Sequence, residues 1–130
     1  MSHFSTVRTE LRQLDPLMAA LRDLGYEPES GSRPVRGYRG QTVDADLAVK
    51  MTEGSDLGFR WNASTGSYEL VTDLDLWRQP IPVERFLQRL TQRYALHTVL
   101  RASVEEGFAL SEQTTTQDGS IELVVTRWDA

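Results

Sequence analysis

The sequence contains no cysteine, which excludes disulfides, thiolate metal sites and a cysteine nucleophile. Histidine is scarce, with only His3 and His97. No apolar run is long enough to span a bilayer, and the first twenty residues mix charged and apolar side chains, unlike a signal peptide. We therefore expect a soluble protein that does not insert into a membrane.

Lysine is almost absent, because all but one of the 14 basic residues are arginines and Lys50 is the exception. The net charge of −5 argues against non-specific nucleic-acid binding, which requires many basic groups to neutralise phosphates. Arginine suits bidentate contacts with carboxylates or phosphates. A bias in genomic base composition explains the same excess, and we prefer that explanation.

The length of 130 residues suits one domain, and no linker or repeat divides residues 1–130. Hydrophobic periodicity and turn signals predict strands at residues 3–10, 43–51, 57–62, 68–72, 108–116 and 121–128, with helices at 15–25 and 83–106. Asp15 is the predicted N-cap of the first helix and Gly25 its stop, and Asp118-Gly119 is the turn of the last hairpin. Residues 28–41, rich in glycine and proline, are predicted to be a loop that contains at most a brief extended piece. The predicted fold class is α+β, in the order β-α-β-β-β-α-β-β, with two helices packed on one face of a mainly antiparallel sheet.

The second predicted helix does not keep one apolar face. Its first half places a stripe toward the core, made of Val83, Phe86, Leu87, Leu90 and Tyr94. Leu96, Val99 and Leu100 lie instead on the side that was polar a turn earlier. Either these three residues are core, because the helix bends or is covered on both sides, or they form an exposed patch for a partner or a second subunit. We prefer the core interpretation.

His97 and Arg101 lie one turn apart on the core-facing side of this helix. A histidine there could carry a proton and an arginine could hold an anion. No serine or second histidine at a suggestive spacing completes a catalytic set, so we predict no catalytic residue and no cofactor. A hydrogen-bonded structural histidine is the preferred interpretation of His97.

Two pairs of aspartates, Asp44 with Asp46 and Asp73 with Asp75, could in principle hold a hard cation. Calcium loops need further oxygen ligands at fixed offsets, and the sequence lacks them. The first pair fits the wet face of a strand, and the second fits a solvated loop. We therefore predict no metal site.

The segment 32–41, SRPVRGYRGQ, is the polar stretch that looks most functional. Arg36 and Arg39 flank Tyr38, and neighbouring glycines could turn backbone N–H groups toward a phosphate or carboxylate. The spacing matches no nucleotide-binding motif. The alternative is a surface loop whose arginines pair with local acids, and we prefer it.

Six segments taken in this order, MSHF, GYRGQ, DLGFRWN, YELVTDLDLW, FLQRLTQRYALH and DGSIELVVTRW, resemble the hypothetical chloroplast reading frame thirty-five family of cyanobacteria and algal plastids. The resemblance covers nearly the whole chain, and none of the six segments is a catalytic signature. It implies a cyanobacterial or plastid source and a location in the cytoplasm or the plastid stroma. It implies no activity and brings no catalytic residues.

Two hypotheses for function follow. The first is a non-enzymatic interaction or assembly factor that meets a protein partner through a sheet edge or through Leu96, Val99 and Leu100, with a homo-oligomer as a further possibility. The second is an anion-binding or small-molecule-binding domain, or a minor enzyme, using Arg36, Tyr38, Arg39, His97 and Arg101. The second requires a concave pocket where the arginine loop, residues 32–41, meets the second predicted helix. The first requires an exposed apolar patch.

Overall fold

The computed structural model describes residues 3–105, 108–115 and 121–127, with side chains up to Glu105. Its helices and strands are β1 (Ser5–Arg8), α1 (Leu14–Asp23), β2 (Pro28–Arg36), β3 (Thr42–Val49), β4 (Leu57–Asn62), β5 (Ser67–Thr72), α2 (Val83–Glu105), β6 (Phe108–Thr115) and β7 (Ile121–Arg127). Short 3₁₀ turns occupy Tyr38–Gly40 and Leu74–Leu76. Five strands form one antiparallel sheet in the order β1-β5-β4-β3-β2, and β6 pairs with β7 in a separate hairpin. The predicted α+β class is confirmed.

Strand β2 occupies a segment that the sequence analysis predicts as a loop, and that prediction is wrong. Residues Pro28–Arg36 pair antiparallel with β3, so the element order contains one strand more than predicted. The register shifts between Ser30 and Arg33, and Gly31 lies there at a φ of 90°, which is a β-bulge. Prolines are tolerated in β2 because it is an edge strand.

Helix α1 ends where the sequence predicts and begins slightly earlier than predicted. Gly25 adopts a φ of 91°, and its N–H donates to the Arg22 carbonyl at 3.0 Å, while the Tyr26 N–H donates to the Leu21 carbonyl at 3.0 Å. These two bonds form a Schellman motif, which satisfies carbonyls that the helix leaves free. At the other end, Asp15 lies inside the first turn and is not the cap.

Both helices pack on one face of the five-stranded sheet, as predicted. The buried core there comprises Leu11, Leu17, Ala20, Leu21, Leu47, Val49, Leu57, Phe59, Leu70, Phe86 and Leu90. Phe86 of α2 lies between Tyr26 and Trp77, edge to face with both, at centroid distances of 5.6 and 5.4 Å. These aromatic contacts fix the N-terminal half of α2 over the sheet.

The end of the β2–β3 hairpin covers part of the opposite face of the sheet. Val35, Ala45 and Ala48 form a second buried cluster there, and Phe4 packs against it. A β-carbon at Gly58 would overlap a Val35 methyl group, so only glycine lets the hairpin approach β4 this closely.

The C-terminal hairpin pairs Phe108 with Arg127 at one end and Thr115 with Ile121 at the other. This confirms the predicted pairing of the last two strands. The predicted Asp118-Gly119 turn lies outside the described residues.

Candidate functional site

Polar contacts join α1 to α2 along the seam between the two helices. The Asp23 carboxylate accepts a hydrogen bond from the Arg93 Nε at 2.9 Å and lies 2.5 Å from the His97 Nε2. Toward the other end of α1, the Arg101 Nη2 donates to the Asp15 Oδ2 at 3.3 Å. Asp15 lies near the start of α1 and Arg101 near the end of α2, so the two helices run antiparallel.

The predicted anion-binding pair, His97 and Arg101, therefore faces carboxylates of its own chain. Both side chains point to α1, in agreement with their shared helical side, but each contacts a different aspartate. An external anion at either residue would compete with Asp23 or Asp15. In this arrangement the two residues hold the helices together.

Asp23 is the acidic centre of this seam. Burial raises the pKa of Asp23, but hydrogen bonds and charge interactions with His97 and Arg93 outweigh burial, and its pKa is lowered from the ordinary value. The carboxylate is therefore ionised at neutral pH and matches the positive charge of Arg93.

Tyr94 provides a contact that the sequence analysis missed. Its hydroxyl oxygen accepts the backbone N–H groups of Arg12 at 3.0 Å and Gln13 at 2.9 Å, just before α1. The N-cap position, Gln13, makes no side-chain cap of its own. Tyr94 thus satisfies backbone donors where α1 begins, a task that usually falls to a local Ser, Thr, Asp or Asn.

A groove of about 680 Å³ lies beside this point, where α1 begins and α2 ends. It is lined by Gln13, Leu14, Asp15, Thr98, Arg101, Ala102 and Glu105. The lining includes the predicted Arg101 and two carboxylates. It includes no residue of the segment 32–41.

Arg36, the last residue of β2, contacts several groups of its own chain. Its guanidinium Nη2 donates to the carbonyls of Met51 at 3.2 Å and Gly54 at 3.1 Å, and lies 3.7 Å from the Asp56 carboxylate. Its backbone N–H donates to the Asp56 Oδ2 at 3.0 Å. Arg36 therefore ties the end of β2 to the β3–β4 connection.

Asp56 is a second residue that the sequence analysis missed. Its side chain is 1% exposed, and its carboxylate accepts the Met51 N–H at 2.9 Å in addition to the Arg36 N–H. Lys50 approaches it at 3.5 Å. This buried carboxylate organises the loop that follows β3, and no local motif marks it in the sequence.

Tyr38 and Arg39 follow β2 in a short 3₁₀ turn, where Tyr38 is half-buried and Arg39 is exposed. The Arg39 guanidinium carbon lies 5.1 Å from the centroid of the Tyr38 ring, a cation–π contact. Arg39 has a φ of 52°, unusual for a residue other than glycine, and makes no ion pair with another described residue. Of the arginines predicted to bind an anion in this segment, Arg36 contacts two carbonyls and Asp56, whereas Arg39 is exposed to solvent.

The three residues predicted as a partner patch on α2 have different environments. Leu96 is 4% exposed, which agrees with the preferred core interpretation for this residue. Val99 is 44% exposed, and Leu100 is half-buried. Ala95 and Ala102, which share the helical side of Val99, are also exposed. We call Ala95, Val99 and Ala102 the α2 stripe.

Helices long and apolar enough to cross a membrane do not occur in the part of the chain that the structure describes. Within that same part, no cluster of three or more histidine, aspartate and glutamate side chains is arranged to hold a metal ion.

Comparisons with known proteins match nearly the whole chain. A family model described as "Protein of unknown function (DUF1257)" matches residues 20–124. A Guillardia theta protein named "Uncharacterized protein ycf35" is 39% identical over 128 residues, which cover 98% of each chain. Proteins of the same name from Pyropia yezoensis and Cyanophora paradoxa are each 36% identical, over 99% and 98% of each chain respectively. No solved structure gives a significant match. The resemblance noted in the sequence is confirmed, and the chain belongs to the DUF1257 family as a relative of the ycf35 proteins.

Proposed function

We propose that the protein is a non-enzymatic interaction factor with an accessory or assembly role, working in a cyanobacterial cytoplasm or a plastid stroma. One observation carries this proposal: on α2 the residues suited to chemistry contact carboxylates of α1, whereas the α2 stripe faces solvent. His97 and Arg101 contact aspartates of α1. Val99, the largest residue of the stripe, is 44% exposed.

The candidate polar residues contact groups of their own chain, and this weakens the case for catalysis. A catalytic group needs free access to a reacting atom, and it usually lies in a pocket with other convergent polar groups. Among the described residues, His97 is occupied by Asp23 and Arg36 by two carbonyls and Asp56. Every buried polar side-chain atom in this part of the chain has a hydrogen-bond partner.

The α2 stripe has the composition of an interface centre. Interface cores are depleted in charged side chains relative to the rest of a protein surface. The stripe carries no charge, although 25% of the residues of the chain are charged. Half-buried Leu100 adjoins it and adds apolar area. The occupant that we propose is a different protein with a complementary apolar surface.

A second candidate, an anion-binding or small-molecule-binding domain, has one observation in its favour. The groove of about 680 Å³ includes Arg101 in its lining. Asp15 and Glu105 line it too, and Asp15 already pairs with Arg101. These carboxylates oppose an anionic ligand, so we rank this candidate second.

Capture from the native host tests the proposal if variants are compared. We expect the wild-type chain and Ala63→Glu, a control at an exposed position between β4 and β5, to retain the same stoichiometric partner. Val99→Glu should lose that partner while its thermal unfolding matches the wild type. Retention of the partner by Val99→Glu would overturn the α2 stripe as the contact. Self-association of the purified wild-type chain that Val99→Glu abolishes would assign the stripe to a second copy.

A further inference from the structure

The two edges of the five-stranded sheet differ in their protection. Edge strands expose unpaired backbone groups, and proteins blunt them with prolines, bulges or charges. Edge strand β2 carries Pro28, Pro34 and a bulge beside Gly31. Edge strand β1, with the sequence STVR, is short and carries one charged residue, Arg8, but it has no proline or glycine, and its register with β5 is regular from Ser5 to Arg8. An additional strand can therefore approach β1 more easily than β2.

The chain immediately after β1 presents further unpaired backbone groups. Arg8 is the last paired residue of β1, and contact with β5 resumes when the Tyr68 N–H donates to the Leu11 carbonyl at 2.7 Å. Thr9 and Glu10 lie between these points. Neither the N–H nor the carbonyl of these two residues bonds to another backbone group in the described part of the chain. They are available to an extended segment from outside.

Helix α2 runs beside this segment and closes one side of a groove of about 410 Å³. The groove is lined by Arg8, Thr9, Glu10, Glu84, Leu87, Gln88, Thr91 and Gln92. Leu87 is half-buried at the border of the main core and supplies the apolar part of the lining. The volume lies within the range of small-ligand sites, so the groove suits one or two side chains of a peptide.

The groove lining carries two carboxylates, Glu10 and Glu84, against one arginine, Arg8, and this balance favours a basic occupant. Glu84 lies in the first turn of α2 and forms no ion pair with a described residue. Glu10 pairs with Arg12 at 3.4 Å, with both side chains largely exposed. The net charge of −5 also disfavours the approach of an acidic partner. A lysine or arginine near Glu84 would meet an unpaired carboxylate.

We propose that this groove binds an extended, basic peptide segment of a partner protein. The peptide backbone pairs with the open edge formed by β1, Thr9 and Glu10, which is the β-augmentation mode of peptide recognition. One apolar side chain of the peptide contacts Leu87, and a neighbouring lysine or arginine faces Glu84. The site uses the opposite half of α2 from the α2 stripe, so it goes beyond the proposed function.

A nuclear magnetic resonance titration of the full-length, ¹⁵N-labelled chain tests the groove. The probe is a synthetic peptide of three Val-Lys repeats with blocked ends, and the matched peptide has three Val-Glu repeats. We expect the basic peptide to shift the amides of residues 5–10 and 84–92, and the acidic peptide to shift neither set. Glu84→Lys should weaken binding of the basic peptide by about fivefold or more, since it replaces attraction with repulsion. Glu53→Lys, an exposed site outside the groove, should not.

Several results would overturn the peptide groove. One is the absence of shifts at millimolar basic peptide, and another is shifts confined to residues outside the groove. Equal binding of both peptides would remove the role of Glu84. Shifts at residues 5–10 that depend on protein concentration without peptide would mean that a second copy pairs with β1. Val99→Glu should leave the titration unchanged, so failure of the α2 stripe and failure of the groove can be told apart.

Discussion

The two halves of α2 are held in place by different forces. In the first half, Phe86 and Leu90 are 1% and 0% exposed and belong to the main core. In the second half, Arg93, His97 and Arg101 contact aspartates of α1 through polar side chains. The first half is thus fixed mainly by apolar burial, whereas the second combines these polar contacts with a single buried leucine. This difference explains why hydrophobic periodicity describes only the first half of the helix.

The largest expected effect is in the first half of α2. Phe86→Ala should lower the free energy of unfolding by about 3 to 5 kcal/mol, because it removes a buried ring and leaves a cavity between Tyr26 and Trp77. Urea denaturation followed by circular dichroism measures the change. A loss below about 1 kcal/mol would contradict the central place of Phe86 in the core.

A smaller loss of stability is expected in the second half of α2, where it distinguishes Leu96 from Val99. Leu96→Ala should cost about 2 kcal/mol or more, because Leu96 is 4% exposed. Val99→Ala, at 44% exposure, should change the free energy of unfolding by less than about 0.5 kcal/mol. Paired urea denaturation curves give both values. Equal costs would mean that the two residues share one environment, against the structure.

Removing the charge of Asp23 tests the polar seam directly. Asp23→Asn should cost about 1 kcal/mol, because the site is partly exposed and the substitution removes the ion pair with Arg93 and the carboxylate that contacts His97. Asp15→Asn is the matched control, with a side chain that is 73% exposed and one contact to Arg101. Its cost should stay below about 0.5 kcal/mol in the same denaturation assay. A larger cost for Asp15→Asn would reverse the assigned importance of the two contacts.

The smallest expected effect is the pH dependence of the stability that the Asp23 carboxylate contributes. The pKa of Asp23 is lower in the folded state, so its contribution is fully present above the unfolded value of about 3.9. It is lost as the pH falls through the lower folded pKa, because protonation removes the carboxylate charge. The stability difference between wild type and Asp23→Asn should therefore shrink below about pH 4. A difference that grows on acidification would show the opposite sign of the shift.

Local sequence rules identified much of the fold. They identify both helices, the stop at Gly25 and six of the seven strands in the described part of the chain. They missed β2, because Gly31 and two prolines are typical of loops. An edge strand tolerates these residues, and its edge position depends on the order of the other strands.

The candidate site was less predictable because its contacts are distant in sequence. The spacing of His97 and Arg101 placed them on one side of a helix, but their partners Asp23 and Asp15 lie 74 and 86 positions away. Asp56 lies 20 positions from Arg36 and carries no motif. Helical periodicity indicates which side chains share a side, but it cannot indicate which element covers that side.

The hydroxyl of Tyr94 imposes an order on the maturation of the chain. It accepts the N–H groups of Arg12 and Gln13 from 82 and 81 positions farther along the sequence. During synthesis from the N-terminus, the start of α1 therefore emerges well before its acceptor and has to be satisfied by water until α2 docks. The amide protons of Arg12 and Gln13 should then gain protection from hydrogen exchange only when the two helices associate, which makes them reporters of that late folding event.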